Sequence, residues 1–113
     1  MEFTPNGKLW LEKDGEKVFG DGPCDILQRI ERTGSLRMAA AEINMSYSQA
    51  WKLINKLEKK LGFKLLEKKT GGKEGGGSTL TEQAKQLTMR YTFFRREINS
   101  AIESLHLKSF KEF

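Results

Sequence analysis

Polar and basic side chains recur along one stretch of the sequence at a spacing that places them on a single helix face. Ser48, Gln49 and Lys52 have donors and acceptors suited to base edges. Glutamine can pair bidentately with adenine, and lysine can donate to guanine. Asn55 and Lys56 follow one turn later and predict contacts to phosphates, which position a protein without reading sequence. A solvated face with no ligand is the competing interpretation.

The basic residues are concentrated in the middle of the chain. The 113 residues carry a net charge of +5, with a pI near 9.4. Between residues 46 and 81, eight lysines stand against three acids, so this stretch alone has a net charge of +5. A localised basic segment in an otherwise near-neutral chain indicates a surface for a polyanion.

Several other classes of protein fit the composition poorly. Cys24 is the only cysteine and His106 the only histidine, so we expect no intramolecular disulfide, no metal site and no cofactor, and a packed thiol at Cys24. The longest apolar run, residues 38–41, is too short to span a membrane, and the first residues do not resemble a secretion signal. We therefore expect a cytoplasmic binding protein that is not an enzyme and has no membrane partner.

Two helices and a tight turn must position the polar face. A short helix is predicted over 36–43, opened by Ser35. Asn44 tolerates the positive φ of a tight turn. Ser46 and Gln49 have the spacing of a capping box that starts a longer helix, which ends at Gly62. This order predicts a helix-turn-helix, whose second helix can enter the major groove of DNA.

The longer helix also carries an apolar stripe, which we expect to be buried. Trp51 is predicted to anchor the core, whereas Tyr47 could be buried or could bond a phosphate through its hydroxyl. Arg37, in the short helix, could reach a phosphate, although an ordinary exposed arginine explains it more simply. The stripe consists of Tyr47, Ala50, Trp51, Ile54, Leu57 and Leu61.

A second hairpin is predicted directly after this helix. Residues 63–69 read as a strand, 70–78 as a glycine-rich loop and 79–81 as a returning strand. A hairpin in this place is a wing, which can lie along the DNA backbone. The glycines lack the lysine that a nucleotide-binding loop requires. The predicted DNA contacts are Ser46, Ser48, Gln49, Lys52, Asn55 and Lys56 on the helix, and Lys68, Lys69, Thr70 and Lys73 on the wing.

The two ends of the chain complete the predicted fold. Strands over 8–12 and 16–19 flank an Asp-Gly turn, and a first helix runs from 21–23 to 33–34. The last helix begins near 81–82 and repeats apolar residues in steps of three and four. We expect its first turns to cover the domain's own core and its later turns to meet a second copy. The predicted dimerisation residues are Leu87, Tyr91, Phe94, Ile98, Ala101 and Leu105.

From about Leu9 to Leu87, the sequence resembles the N-terminal DNA-binding domain of ModE, the molybdate-responsive regulator family, and more distantly the winged domain of LysR-type regulators. The resemblance implies a winged helix-turn-helix, a homodimer built by the N-terminal hairpin and the C-terminal helix, and binding to operator DNA. The residues that carry it are Gly34-Ser35-Leu36, Ala39-Ala40, Ser46-Tyr47 with Ala50-Trp51, the glycine-rich loop from Thr70 to Gly77, and Leu80-Thr81.

Two features differ from the ModE family. Asn44 stands where that family usually has glycine. Full-length ModE proteins continue into β-barrel domains that bind molybdate or tungstate, whereas this sequence runs only to Phe113. We therefore expect no molybdate or tungstate binding by this chain. Control of molybdate-uptake genes remains compatible with it.

Taken together, the sequence predicts a mainly α-helical winged helix-turn-helix with small β elements. Residues 1–81 would hold the hairpin and the helix-turn-helix, and residues 82–113 the dimerisation helix, in one structural domain. The predicted function is sequence-specific binding of double-stranded DNA by a homodimeric transcriptional regulator, possible targets being genes of molybdate transport or molybdenum metabolism. A winged module that binds proteins is the alternative from another class, and an oxyanion-binding protein ranks last.

Overall fold

A β-hairpin, three helices, a second hairpin and a long final helix follow one another in the computed structural model, which describes residues 2–68 and 77–113. The strands are β1 (Trp10–Lys13), β2 (Glu16–Gly20), β3 (Leu66–Lys68) and β4 (Ser78–Leu80). The helices are α1 (Asp21–Thr33), α2 (Leu36–Glu42), α3 (Tyr47–Leu61) and α4 (Glu82–Ser109). This order confirms the predicted mainly α-helical winged helix-turn-helix.

The first hairpin forms where the Asp-Gly dipeptide predicted it. Asp14 and Gly15 both have positive φ, 53° and 80°, as a primed two-residue turn requires. The strands pair antiparallel, with Leu11 opposite Phe19 and a bulge after Leu11. The side chain of Phe19 is fully buried, so the hairpin contributes directly to the core.

Residues of special conformation end the helices. Gly34 after α1 and Gly62 after α3 are left-handed, with φ of 74° and 86°, and each donates its backbone N–H to a carbonyl in the preceding turn. Asn44 has φ 55° in the turn between α2 and α3, as predicted. Pro23 lies in the first turn of α1, where its missing N–H breaks no helical hydrogen bond.

The core lies where α1, α2 and α3 meet the two hairpins and the start of α4. Cys24 is among its members, and burial raises the pKa of its thiol, as suits a packed cysteine. The largest fully buried side chains are Phe19, Ile26, Leu27, Ile30 and Leu65.

An N-terminal arm, residues 2–9, lies along α4 without regular secondary structure. The Tyr91 hydroxyl donates to the Asp21 carboxylate at 2.5 Å and lies 3.1 Å from the carbonyl oxygen of Leu9. Arg95 donates to the carbonyl of Gly7 at 2.8 Å and to Asp21 at 3.0 Å. These contacts tie the arm and the start of α1 to α4. Burial and the bond to Asp21 raise the pKa of Tyr91.

Candidate nucleic-acid interface

The helix-turn-helix is held at its turn by backbone hydrogen bonds and across its helices by ion pairs. Met45 donates its N–H to the carbonyl of Ala40 at 2.9 Å. Glu42 in α2 pairs with Arg32 and Arg29 of α1. The hydrogen bonds from these two arginines hold the pKa of Glu42 below its usual range, so the carboxylate stays charged and links α1 to α2.

The N-terminus of α3 is closed by the predicted capping box. The Ser46 hydroxyl accepts from the N–H of Gln49 at 3.1 Å, and Gln49 Oε1 accepts from the backbone N–H of Ser46 at 3.1 Å. Oε1 also accepts from the Ser46 hydroxyl at 3.2 Å. The bidentate pairing of Gln49 with adenine therefore requires Oε1 to leave Ser46, whereas its Nε2 donors can reach a ligand from this conformation.

The polar face of α3 points away from the core. Ala50, Ile54 and Leu57 are buried on one side of the helix. On the opposite side, Ser48, Lys52 and Lys56 are exposed and Asn55 is half-buried, together with the exposed Lys59. The structure thus brings four of the predicted helix contacts to one surface, and Lys59, which had fallen outside the predicted set, lies with them.

Charge on this face is not neutralised by neighbouring acids. Within the described residues, Lys52, Lys56 and Lys59 form no ion pair. By contrast, Lys64 pairs with Glu58 at 3.6 Å, and Lys60 donates to the carbonyl of Lys17 at 3.5 Å. The uncompensated positive charge is therefore concentrated on the outward side of α3, where a polyanion can approach it.

The prediction that Trp51 anchors the core is wrong. Trp51 is 54% exposed and Tyr47 is 43% exposed, although both fall on the predicted apolar stripe. The buried strip of α3 is narrower than the stripe, because α2 and β2 cover only the side that carries Ala50 and Ile54. Both aromatic rings consequently border the polar face.

Arg37 in α2 extends this exposed aromatic edge. Its guanidinium carbon lies 4.4 Å from the centroid of the Tyr47 ring, within the range of a cation–π contact. The stacking holds a positive charge next to the N-terminal turn of α3. Sequence reasoning had treated Arg37 as an ordinary surface arginine, since its partner ring lies ten residues further along the chain.

The second hairpin is attached on both of its sides to the helix-turn-helix. Leu65 donates its N–H to Glu58 of α3 at 2.7 Å, and Ser78 donates to the carbonyl of Gly34 at 2.9 Å. Leu66 pairs with Leu80 and Lys68 with Ser78. Lys68 is exposed at the end of β3, and the predicted contacts Lys69, Thr70 and Lys73 lie outside the described residues.

The predicted dimerisation residues of α4 divide into two groups. Tyr91 is buried in the chain's own core and Leu87 packs against it, in agreement with the expectation that the first turns cover the domain. Ile98 is half-buried, and Phe94, Ala101 and Leu105 are exposed. The surface left for a second copy is therefore the later part of the seam.

Comparison with known proteins gives the same fold and a related set of sequences. Residues 24–85 match the family of bacterial regulatory helix-turn-helix proteins of the LysR type. The chain is 30% identical over 98 residues to the molybdenum transport protein ModE of Azotobacter vinelandii, and 36% identical over 84 residues to the transcriptional regulator ModE of Haemophilus influenzae. These matches cover 87% and 74% of this chain but only 36% and 33% of the relatives, so it spans about a third of their length.

A solved structure supports the architecture. The DNA-binding domain of BenM, in a crystal structure of its complex with benA site 1 DNA, superposes with a TM-score of 0.57 at 15% sequence identity. The match covers 79% of this chain and 94% of that one. In the part of this chain that the structure describes, no helix is long and apolar enough to cross a bilayer.

Proposed function

The chain belongs to the LysR family of bacterial regulatory helix-turn-helix proteins, and we propose that it binds specific sites on double-stranded DNA as a homodimeric transcriptional regulator. The observation that carries this proposal is the outward face of α3, where three lysines without acidic partners flank Ser48 and Asn55. A helix of this kind fits the major groove and offers donors to base edges and phosphates.

The roles of the side chains follow from their places on α3 and the wing. Ser48 and Lys52 lie in the first two turns, which reach base edges when a recognition helix enters the groove by its N-terminal end. Asn55, Lys56 and Lys59 lie further along and contact phosphates. Lys68, with Lys69, Thr70 and Lys73, contacts the backbone beside the helix.

Homodimerisation through α4 is supported by apolar side chains that the single chain leaves uncovered. Phe94 is 41% exposed and Leu105 is 61% exposed on the same side of the helix. Pairing of two copies there presents two recognition helices to successive major grooves, with half-sites about 34 Å apart.

The relatives suggest which genes are controlled. Two of them are named for molybdenum transport and for transcriptional regulation, and we propose that this chain acts on genes of molybdate transport, in the cytoplasm. Since the chain spans about a third of these relatives, we assign it the DNA-binding step and no oxyanion sensing.

Selection of bound duplexes from a random pool tests the proposal. We expect two inverted half-sites with centres about 10 base pairs apart, or a multiple of one turn. Lys52→Ala should relax the choice of base at one position in each half-site, and Lys85→Ala on α4 should not. Binding that shows no preferred sequence and disappears at moderate salt would instead indicate a module that recognises another protein.

A further inference from the structure

Trp51 is a large apolar side chain on the most basic surface of the molecule, and the core does not explain it. More than half of its surface is exposed, whereas its helical neighbours Ala50 and Ile54 are buried. It lines a shallow depression on α3 together with Lys52, Asn55 and the lysines at positions 56, 59 and 60. An exposed indole costs solubility without adding to the fold, so its placement suggests a ligand.

The position of Trp51 on α3 defines what it can touch. It follows Ser48 by three residues and precedes Asn55 by four, so it lies directly beside the polar face. Glu58 lies seven residues on, along the same edge, and accepts from Leu65 at the start of the wing. Trp51 therefore lies on the wing-facing edge of α3, between the side chains proposed to read bases and the hairpin proposed to follow the backbone.

A DNA duplex offers few apolar groups to an indole in this place. The faces of the bases are stacked on one another, and the groove edges present mainly hydrogen-bonding atoms. The exception in the major groove is the C5-methyl group of thymine. We propose that Trp51 contacts this methyl group and so selects thymine at one position of each half-site. The inference rests on the proposed function and names a specificity-determining residue within it.

Single replacement of thymine by deoxyuridine tests this contact, because it removes the methyl group and leaves the base-pairing edge unchanged. The probe is the preferred duplex obtained by selection with the unmodified chain. At one thymine of each half-site, we expect the replacement to weaken binding by the unmodified chain about three- to five-fold, as the loss of one buried methyl group implies. Trp51→Ala should bind the thymine and deoxyuridine duplexes equally.

A matched variant separates this effect from a general loss of aromatic surface. Trp10 is also exposed, at 43%, but lies on β1, away from the polar face. Trp10→Ala should retain the preference for thymine. Thermal unfolding of both variants checks that the fold is kept, and the deoxyuridine scan with the unmodified chain gives a result even if Trp51→Ala is unstable.

Two results would overturn the inference while leaving the proposed function intact. The unmodified chain might tolerate deoxyuridine at every thymine of its preferred site. Alternatively, Trp51→Ala could lose affinity equally on all duplexes while keeping the discrimination, as expected if the indole packs on deoxyribose. If selection returns no preferred sequence at all, both the inference and the proposed function fail.

Discussion

Gln49 Oε1 lies 3.1 Å from the backbone nitrogen of Ser46 and accepts its hydrogen bond, so the side chain that was predicted to read adenine also closes the N-terminus of α3. The two roles use different atoms. The carbonyl oxygen serves the helix, and the amide Nε2 is left to serve a ligand. Substitutions that keep one atom and remove the other can therefore separate stability from recognition.

Gln49→Glu should keep the cap and lose the ligand contact. A carboxylate accepts the same bond from Ser46 and suits the positive end of the helix, so the free energy of unfolding should stay within about 0.5 kcal/mol. Affinity for the preferred duplex should fall by roughly 1–3 kcal/mol, because a donor is replaced by a negative charge. Chemical denaturation and DNA titration give the two quantities.

Gln83→Glu, in the first turn of α4, is the control for the added charge. It should leave DNA binding nearly unchanged. Gln49 would lose its assignment as a base reader if Gln49→Ala weakened binding to every sequence by the same factor.

Lys68→Ala should weaken binding to all duplexes alike. Lys68 is exposed at the end of β3, where a wing meets phosphates and not base edges. Removing one phosphate contact should reduce the slope of log K against log salt by about 0.9. Titrations at several salt concentrations measure it, with the exposed α4 residue Lys85→Ala as the control. A loss confined to the preferred sequence would contradict a backbone contact.

Leu105→Glu should convert the dimer into monomers. The substitution places a charge in the exposed apolar seam of α4, next to the position of Ala101 one turn earlier. Leu107 is exposed to a similar degree but points to the opposite side of the helix, so Leu107→Glu is a matched control. Sedimentation velocity distinguishes the two species. A dimer that survives Leu105→Glu and dissociates with Leu107→Glu would move the interface to the other side of α4.

Tyr91→Phe should loosen the N-terminal arm. The change removes the hydroxyl that bonds Asp21 and approaches Leu9, and we expect a cost of about 1–2 kcal/mol in the free energy of unfolding. Tyr47→Phe, at an exposed ring, should cost much less. Hydrogen exchange of residues 2–9 should rise only in the Tyr91 variant, and unchanged exchange would mean that Arg95 alone holds the arm.

The order of elements could be predicted because local signals mark most of their boundaries. Asp14-Gly15, Gly34, Asn44 and Gly62 adopt the backbone conformations that their residue types favour, and the caps at Ser46 and Thr81 form as predicted. These signals depend on a few neighbouring residues, so a single sequence is enough to read them.

Contacts between distant segments could not be predicted in the same way. Helical spacing placed Trp51 at the edge of the apolar stripe, but how wide a strip is buried depends on which elements pack against α3. The arm is held through the backbone carbonyls of Gly7 and Leu9, which every residue type carries and no side-chain pattern reveals. Of the predicted contacts, Lys69, Thr70 and Lys73 lie outside the described residues, and the others remain predictions.

The carboxylate of Asp21 is the first residue of α1 and receives both Tyr91 and Arg95 from α4. The orientation of the long helix is thereby coupled to the helix on which α2 packs. If two long helices pair as proposed, a change in their crossing angle will be transmitted through this carboxylate to both DNA-reading units. Whatever attaches to the far end of α4 could then tune the fit of the pair to an operator by tilting a lever, without touching the DNA.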